Sequence, residues 1–339
     1  MGVSGNRWNF GVLLKGCRNL ITDVPGVRVG QVTLSGEQME TGVTAILPHE
    51  GNLFRSKVPA AVHVINGFGK STGMMQVQEM GNIESPILMT NTFSVSAAID
   101  GALTWLMERN PEIGDTTGTV NPLVMECNDG TINHIRMRHV TEEHALQAIA
   151  NAAEDFEEGA VGAGRGMRCY GLKGGIGSAS RLVTVGEETY TVGALLLTNF
   201  GAKADLMICG EPFGKQIASG EREIDKGSVI VILATDAPMT CRQLGRCTRR
   251  AQNGLARTGS HTGNGSGEVV VMFSTQNRIP HFPEEAVLEG KFLHDDKLEQ
   301  FFKAVTECVE ESVISSLIHA ETMVDRRGNT VHSLSEYLK

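Results

Sequence analysis

Residues 226–238 read KGSVIVILATDAP. The five aliphatic residues Val229–Leu233 show no polar alternation, so a strand here is covered on both faces. Such a strand lies between layers, and the rest of the chain has to supply them. Working outward, Val43–Leu47, Ala60–Ile65, Thr191–Leu197 and Val269–Ser274 are short, aliphatic or β-branched runs that read as further strands. Ser94–Arg109 carries Ala97, Ile99, Leu103 and Leu106 at helical spacing. Thr141–Phe156 reads as a helix with Thr141 as N-cap and Glu142 and Glu143 in its first turn, where the helix dipole favours acids. Thr240–Arg257 reads as a helix with Arg242, Arg246, Arg249 and Arg250 on one polar side. In Asp296–Met323, Phe301, Val305, Val309, Val313 and Leu317 recur every four residues, the pattern of a long buried helix. Strands and helices mix without strict alternation, which predicts a layered α/β or α+β fold with sheets packed between helices.

Composition narrows the function classes. The chain has 339 residues and 40 glycines, about 12% against an average near 7%. Proline is only 10, hydrophobic residues are 41% and charged residues 20%, so the glycines punctuate a folded chain. The net charge of −9 argues against nucleic-acid binding and against a basic membrane patch. The opening MGVSGNRWNFGVLLKG lacks the charged-then-apolar pattern of a signal peptide, and no 18 apolar residues run together. The seven cysteines are odd in number and none forms a CxxC pair. These features predict a cytoplasmic protein with free thiols. Without linkers, repeats or low-complexity stretches, residues 1–339 read as one domain.

Three segments bear on chemistry. VGAGRGMRCYGLKGGIGSASR (Val161–Arg181) holds seven glycines between Gly162 and Gly177. It fits neither a Walker loop, since Gly174 follows Lys173, nor GxGxxG in register, so tight turns ending in a strand are the plainer reading. The histidines are dispersed, with His134, His139 and His144 five apart, so no metal site and no cofactor are expected. Gly227-Ser228 stands at the entrance to the buried strand. It is either a turn, or a serine nucleophile able to cut its own peptide bond by an N-to-O acyl shift at an unhindered glycine carbonyl. In GLARTGSHTGNGSGEVVVMFST (Gly254–Thr275), Ser266 and Glu268 start another apolar strand. NGSG reads as a turn, but a carboxylate beside a buried strand is costly without partners, and it suits proton transfer at the first strand's mouth.

Nine collinear stretches together resemble the DmpA-type family of N-terminal-nucleophile peptidases, the L-aminopeptidase/D-esterase and β-aminopeptidase group. They are NLITDVPGVRVGQVTL (Asn19–Leu34), TGVTAILP (Thr41–Pro48), INGFGKSTG (Ile65–Gly73), VMECNDGTINHIR (Val124–Arg136), KGGIGSASR, KGSVIVILATDAP, GLARTG, NGSGE and AETM (Ala320–Met323). The resemblance implies a four-layer αββα sandwich, similar to N-terminal-nucleophile hydrolases but differently connected. It implies self-cleavage between Gly227 and Ser228 into subunits 1–227 and 228–339, and assembly as a homo-oligomer, a tetramer of two-fragment protomers. It maps the nucleophile to Ser228, its companions to Ser266 and Glu268, the oxyanion donor to Asn199 in TNFG, and the carboxylate for the substrate's free amino group to Glu126. One departure is Asn128, where some members have tyrosine; this bears on substrate preference.

The function this implies is a self-processing serine aminopeptidase or amidase, acting through an acyl-enzyme on small peptides, amides or esters with a free amino terminus. Either the Ser266–Glu268 pair or the new α-amine of Ser228, with an unperturbed pKa of about 7.7–8.0, serves as base. Acyl transfer of the ornithine-acetyltransferase type is the alternative enzyme, and a non-catalytic binding protein on the same scaffold is the third reading.

Overall fold

The VIVIL strand is a central strand of a sheet. In the computed structural model, which describes residues 8–218 and 227–338, it spans Ser228–Thr235 and every residue in it is buried. The beginning of the stretch read for a signal peptide and the residues 219–226 ahead of Gly227 lie outside the described residues. The main strands in chain order are β1 (Arg28–Gly36), β2 (Met39–Leu47), β3 (Ser56–Gly67), β4 (Ile87–Asn91), β5 (Leu123–Cys127), β6 (Ile176–Val185), β7 (Glu188–Asn199), β8 (Ser228–Thr235) and β9 (Gly267–Ser274). One sheet has the order β1-β2-β4-β5. The other has the order Ile279–Pro280, β3, β9, β8, β7, β6, with Asn82–Ile83 also pairing to β3. β8 and β9 run parallel, and their other neighbours in this sheet are antiparallel.

The main helices are α1 (Val95–Arg109), α2 (Glu142–Ala150), α3 (Cys241–Thr248), α4 (Ala251–Arg257) and α5 (Glu299–Ile318). Side chains alternate faces along a strand, and β8 uses both. Ile230, Ile232 and Ala234 meet Ile46, Met89 and Met125 of the other sheet, whereas Val229, Val231 and Leu233 join Leu244, Leu255, Val305 and Val309 on the helical side. On the far side of the four-stranded sheet, Val43, Val124 and Leu88 pack with Ala98, Ala102 and Ala148 of α1 and α2. The result is helices, sheet, sheet, helices, the four-layer sandwich implied by the sequence. Full burial of each such aliphatic side chain is worth roughly 1.5–3 kcal/mol, which accounts for an aliphatic core in a chain poor in aromatics.

Three helices are shorter than their periodicity suggests. α2 stops at Ala150 because the chain turns to pair with the edge of β1, with mutual Val29–Ala153 backbone bonds of 2.9 and 3.0 Å. Thr141 is its N-cap residue, and its N–H donates to His144 Nδ1 at 3.0 Å. Thr240–Arg257 is two helices, α3 and α4, bent where Arg250 N donates to Cys247 O. The bend lets α4 lie on α5, at Gly254, where a Cβ would press on the Thr306 carbonyl and Val309. Asp295–Lys297 is a 3-10 turn ahead of α5, and Met323 pairs with Val331 in a short ribbon beyond it. All five residues of the four-residue stripe are buried.

The face of α5 against β6 and β7 also carries charge. Arg181 of β6 is fully buried; its Nε meets Glu307 at 3.0 Å and its Nη2 meets Glu311 at 2.6 Å. The helix rests directly on β6 at Gly177, where a Cβ would overlap the Ser312 carbonyl. No helix among the described residues is long and apolar enough to cross a membrane. Among the described residues no disulfide is formed.

A polar network ties the loop after β5 to the first sheet. Asn133 Nδ2 donates to Asp129 at 3.1 Å, and Asn91 Nδ2 donates to Thr41 Oγ1 at 2.8 Å. Burial raises the Asp129 carboxyl from 3.8 to about 7, opposed by hydrogen bonds from Thr41, Asn133 and Asn91. The folded state therefore holds this proton more tightly than the unfolded chain, and the stability it contributes below pH 4 is lost as pH rises to about 7. The stability of wild type relative to Asp129→Asn, from urea unfolding, is expected to fall from pH 4 to pH 7. A difference independent of pH contradicts this placement of the proton.

Candidate active site

Four strand ends meet in one rung. In the registers of the second sheet, Asn199 at the end of β7 faces Ser228, Ser228 at the start of β8 faces Gly267, and Gly267 at the start of β9 faces Gly67 at the end of β3. The parallel β8–β9 pair brings residues 38 apart in sequence, Ser228 and Ser266, to the same end of the sheet. Gly267 N donates to Ser228 Oγ at 3.1 Å. Ser228 keeps 8% of its surface exposed, whereas Ser266 and Glu268 have none, so Ser228 alone of the three is open to solvent.

The buried carboxylate has its partners. Ser266 Oγ donates to Glu268 Oε1 and Thr262 Oγ1 donates to Oε2, both at 2.9 Å. Such hydrogen bonds to the charged form offset the cost of burying it. The segment is held by Asn66, paired with Glu268 in register, whose Nδ2 donates to the Ser266 carbonyl. Ser266 commits its proton to Glu268 and so keeps its lone pairs to accept another.

Glu126 comes from the other sheet, near the end of β5, and is also buried. Lys70 N donates to its Oε1 at 2.7 Å, and Thr92 Oγ1 donates to Oε2. The INGFG loop bridges the two carboxylates' strands. A Cβ on Gly69 would sit 3.4 Å from Glu126 Oε1 and 3.8 Å from Gly267 Cα, which puts Glu126 beside the rung. Cys127, the next residue, is fully buried between these acids. Burial, with Glu126 nearby, raises its thiol well above 9.0, which leaves it protonated and a poor nucleophile.

Asn199 is held at both ends of its amide. Its Oδ1 accepts from Arg168 N at 3.0 Å and its Nδ2 donates to the Asn128 carbonyl at 3.0 Å. Gly227 lies against the same turn, where a Cβ would overlap the Asn199 carbonyl and Phe200 Cα. Thus only glycine fits ahead of Ser228, for a packing reason independent of its unhindered carbonyl. Asn128 reaches the site through its main chain; its side chain is exposed and accepts locally from Gly130 N at 2.9 Å.

Ser228, Ser266, Glu268, Asn199, Glu126 and Gly227 are thus gathered at one end of the two sheets. The residues that hold them were not singled out from sequence. Asn66 and Thr262 lie inside quoted stretches, but their partners are set by strand register, which no local motif displays. Thr92 carries no signal of its own beyond following β4. Among the described residues, no three His, Cys, Asp or Glu side chains are placed to hold a metal ion.

Comparisons with known proteins agree with this fold. Residues 19–331 match peptidase family S58. The chain is 38% identical to a beta-peptidyl aminopeptidase, BapA, of Sphingosinicella microcystinivorans, covering 94% of this chain and 86% of that protein. Its fold superposes on the crystal structure of the PH0078 protein from Pyrococcus horikoshii with a TM-score of 0.95, at 49% identity and 99% and 97% coverage of the two chains. It superposes on the L-aminopeptidase D-Ala-esterase/amidase of Ochrobactrum anthropi, described as a prototype for the serine aminopeptidases and a variant of the Ntn hydrolase fold, with a TM-score of 0.90, 35% identity and 96% and 93% coverage. From the match over nearly its whole length and the buried serine–glutamate arrangement beneath Ser228, the chain belongs to peptidase family S58 and is an aminopeptidase of Ntn-hydrolase-like fold.

Proposed function

We propose that Ser228 first cuts its own chain and then serves as the aminopeptidase nucleophile. The observation that carries this is the rung itself, which sets Ser228 between Asn199 and the Ser266–Glu268 pair. In self-cleavage, Ser228 Oγ adds to the Gly227 carbonyl carbon. The C–N bond breaks as the Ser228 nitrogen takes a proton, leaving an ester to Oγ. Water hydrolyses that ester, giving a Gly227 carboxylate and a free Ser228 hydroxyl and amine. The products are residues 1–227 and 228–339.

In turnover, Oγ attacks the carbonyl of a substrate's N-terminal residue, its proton passing to Ser266 and on to Glu268. Asn199 Nδ2 donates to the oxygen on which negative charge develops. The leaving amine takes the proton, and water then releases the acyl group from Ser228. Glu126 receives the substrate ammonium by a charge-assisted hydrogen bond, which selects small peptides, amides or esters with a free amino terminus. A neutral hydroxyl donor from Thr92 and one main-chain N–H leave its lone pairs capacity for that cation.

Two outcomes test this. Purified wild type is expected to run as two fragments on a denaturing gel, with the smaller beginning at Ser228 by N-terminal sequencing, and Ser228→Ala as one inactive chain. A wild type that stays whole, or full activity in Ser228→Ala, removes Ser228 from the role. Glu126→Gln keeps the size and one of the two acceptor oxygens but removes the charge. A hydrogen bond to a charged group is worth about 1.5–3 kcal/mol, so kcat/KM for an aminoacyl amide should fall about 10–150-fold. An unchanged kcat/KM places the ammonium elsewhere.

A further inference from the structure

The glycine run contains a lysine with no exposed surface. Lys173 Nζ donates to the carbonyls of Gly164 at 3.1 Å, Met167 at 2.8 Å and Gly174 at 2.5 Å. An ammonium has three N–H donors, so the group is saturated by main-chain acceptors. Burial brings its pKa from 10.5 down to about 7, with Arg165 also lowering it and Glu40 raising it. Burying a cation is costly, and the three main-chain carbonyls that accept from it offset that cost.

One of the three carbonyls leads to the active site. The Met167 oxygen and the Arg168 N–H belong to the same peptide group. Lys173 holds the oxygen, and the N–H donates to Asn199 Oδ1 at 3.0 Å. Drawing electron density toward the oxygen makes the N–H on the other side a stronger donor. A carboxamide has two ends of nearly equal size and turns over readily unless its partners distinguish them. A main-chain N–H only donates, so it fixes Oδ1 on its own side and leaves Nδ2 on the other, toward Asn128 O. Turned over, Asn199 would present an oxygen where the reaction needs a donor. Arg168–Cys169 and Leu172–Lys173 pair as a short hairpin, which is pinned to the Asn199 turn a second time by Tyr170 N donating to Phe200 O at 2.7 Å. Gly201, with φ +86, gives that turn its left-handed step against the Tyr170 ring.

We propose that Lys173 is a positioning residue for the reaction, fixing the Asn199 amide as a donor toward Ser228 through the Met167–Arg168 peptide. This rests on the reading of Asn199 as oxyanion donor given above. The glycines around Lys173 serve the same end: a Cβ on Gly164 or Gly174 would press into the loop's own backbone or into Cys169, and on Gly166 into the Glu40 carbonyl and Asp129.

The test is a double-mutant cycle on the processed enzyme with an aminoacyl amide, with thermal unfolding measured on each variant. Asn199→Ala should lower kcat about 10²–10³-fold. Lys173→Gln should lower kcat about 10–100-fold, as for a misplaced catalytic group, with KM within about twofold of wild type. In the Asn199→Ala background, Lys173→Gln should cost no more than about twofold further, since Asn199 is the route by which it acts. Independent, multiplying losses, or a Lys173→Gln enzyme that loses thermal stability but keeps its kcat, overturn the proposal while leaving Asn199 in place. Wild-type kcat in Asn199→Ala instead overturns the oxyanion reading. If Lys173→Gln does not fold, Arg168→Pro decides, measured relative to Arg168→Ala, which also lacks the side chain that donates to Gly171 O: it deletes the N–H that Asn199 Oδ1 accepts. It should show the same loss in kcat, absorbed in the same way by Asn199→Ala, and a wild-type kcat in that variant rejects the proposal.

Discussion

The structure depends on one hydrogen-bonded rung, Asn199–Ser228–Gly267–Gly67, across the ends of four strands. A sheet fixes its neighbours' positions to within a hydrogen bond, so groups distant in sequence are placed without flexible loops. The rung is rigid because β8 and β9 are buried along their whole length, between a second sheet and a helical layer. A one-residue slip would turn the aliphatic set of β8 to the opposite layers and move Ser228 away from Gly267. Core packing and site geometry are thus one constraint.

Around the rung, backbone is brought closer to backbone than any side chain allows. Gly227 lies on the Asn199 turn, Gly267 on the Phe68 carbonyl and Gly177 on α5. Gly265, by contrast, faces open space, so its place beside Ser266 reflects the turn and not a contact. The glycine excess marks close approaches of chain, and the run Gly162–Gly177 belongs to the support of Asn199. Charges enter this crowded region only with hydrogen-bond partners: Glu268 has two hydroxyls, Glu126 a main-chain N–H and a hydroxyl, Lys173 three carbonyls.

Much of this was legible in the residues. Apolar runs without alternation located β8 and β9, because a strand buried on both faces has to be written that way. The stripe from Phe301 to Leu317 located α5 for the same reason. Helix ends were less legible: α2 stops where Ala153 finds Val29, and the α3–α4 bend answers to α5. Such partners are distant in sequence, so periodicity carries no trace of them. The likeness to known peptidases supplied the reacting groups but not their supports. Lys173 sat in plain view within KGGIGSASR, and its importance appeared only with the three carbonyls and the peptide it shares with Asn199.

The account stands on Ser228 being both the site of chain cleavage and the carrier of the acyl group. Rapid-quench mass analysis during turnover of a slow aminoacyl ester examines both in one spectrum. The account predicts a fragment beginning at Ser228 that gains the mass of the substrate's amino acid, less water, on its first residue, with residues 1–227 unmodified. An acyl group on any other residue, or a fragment beginning elsewhere, would contradict it.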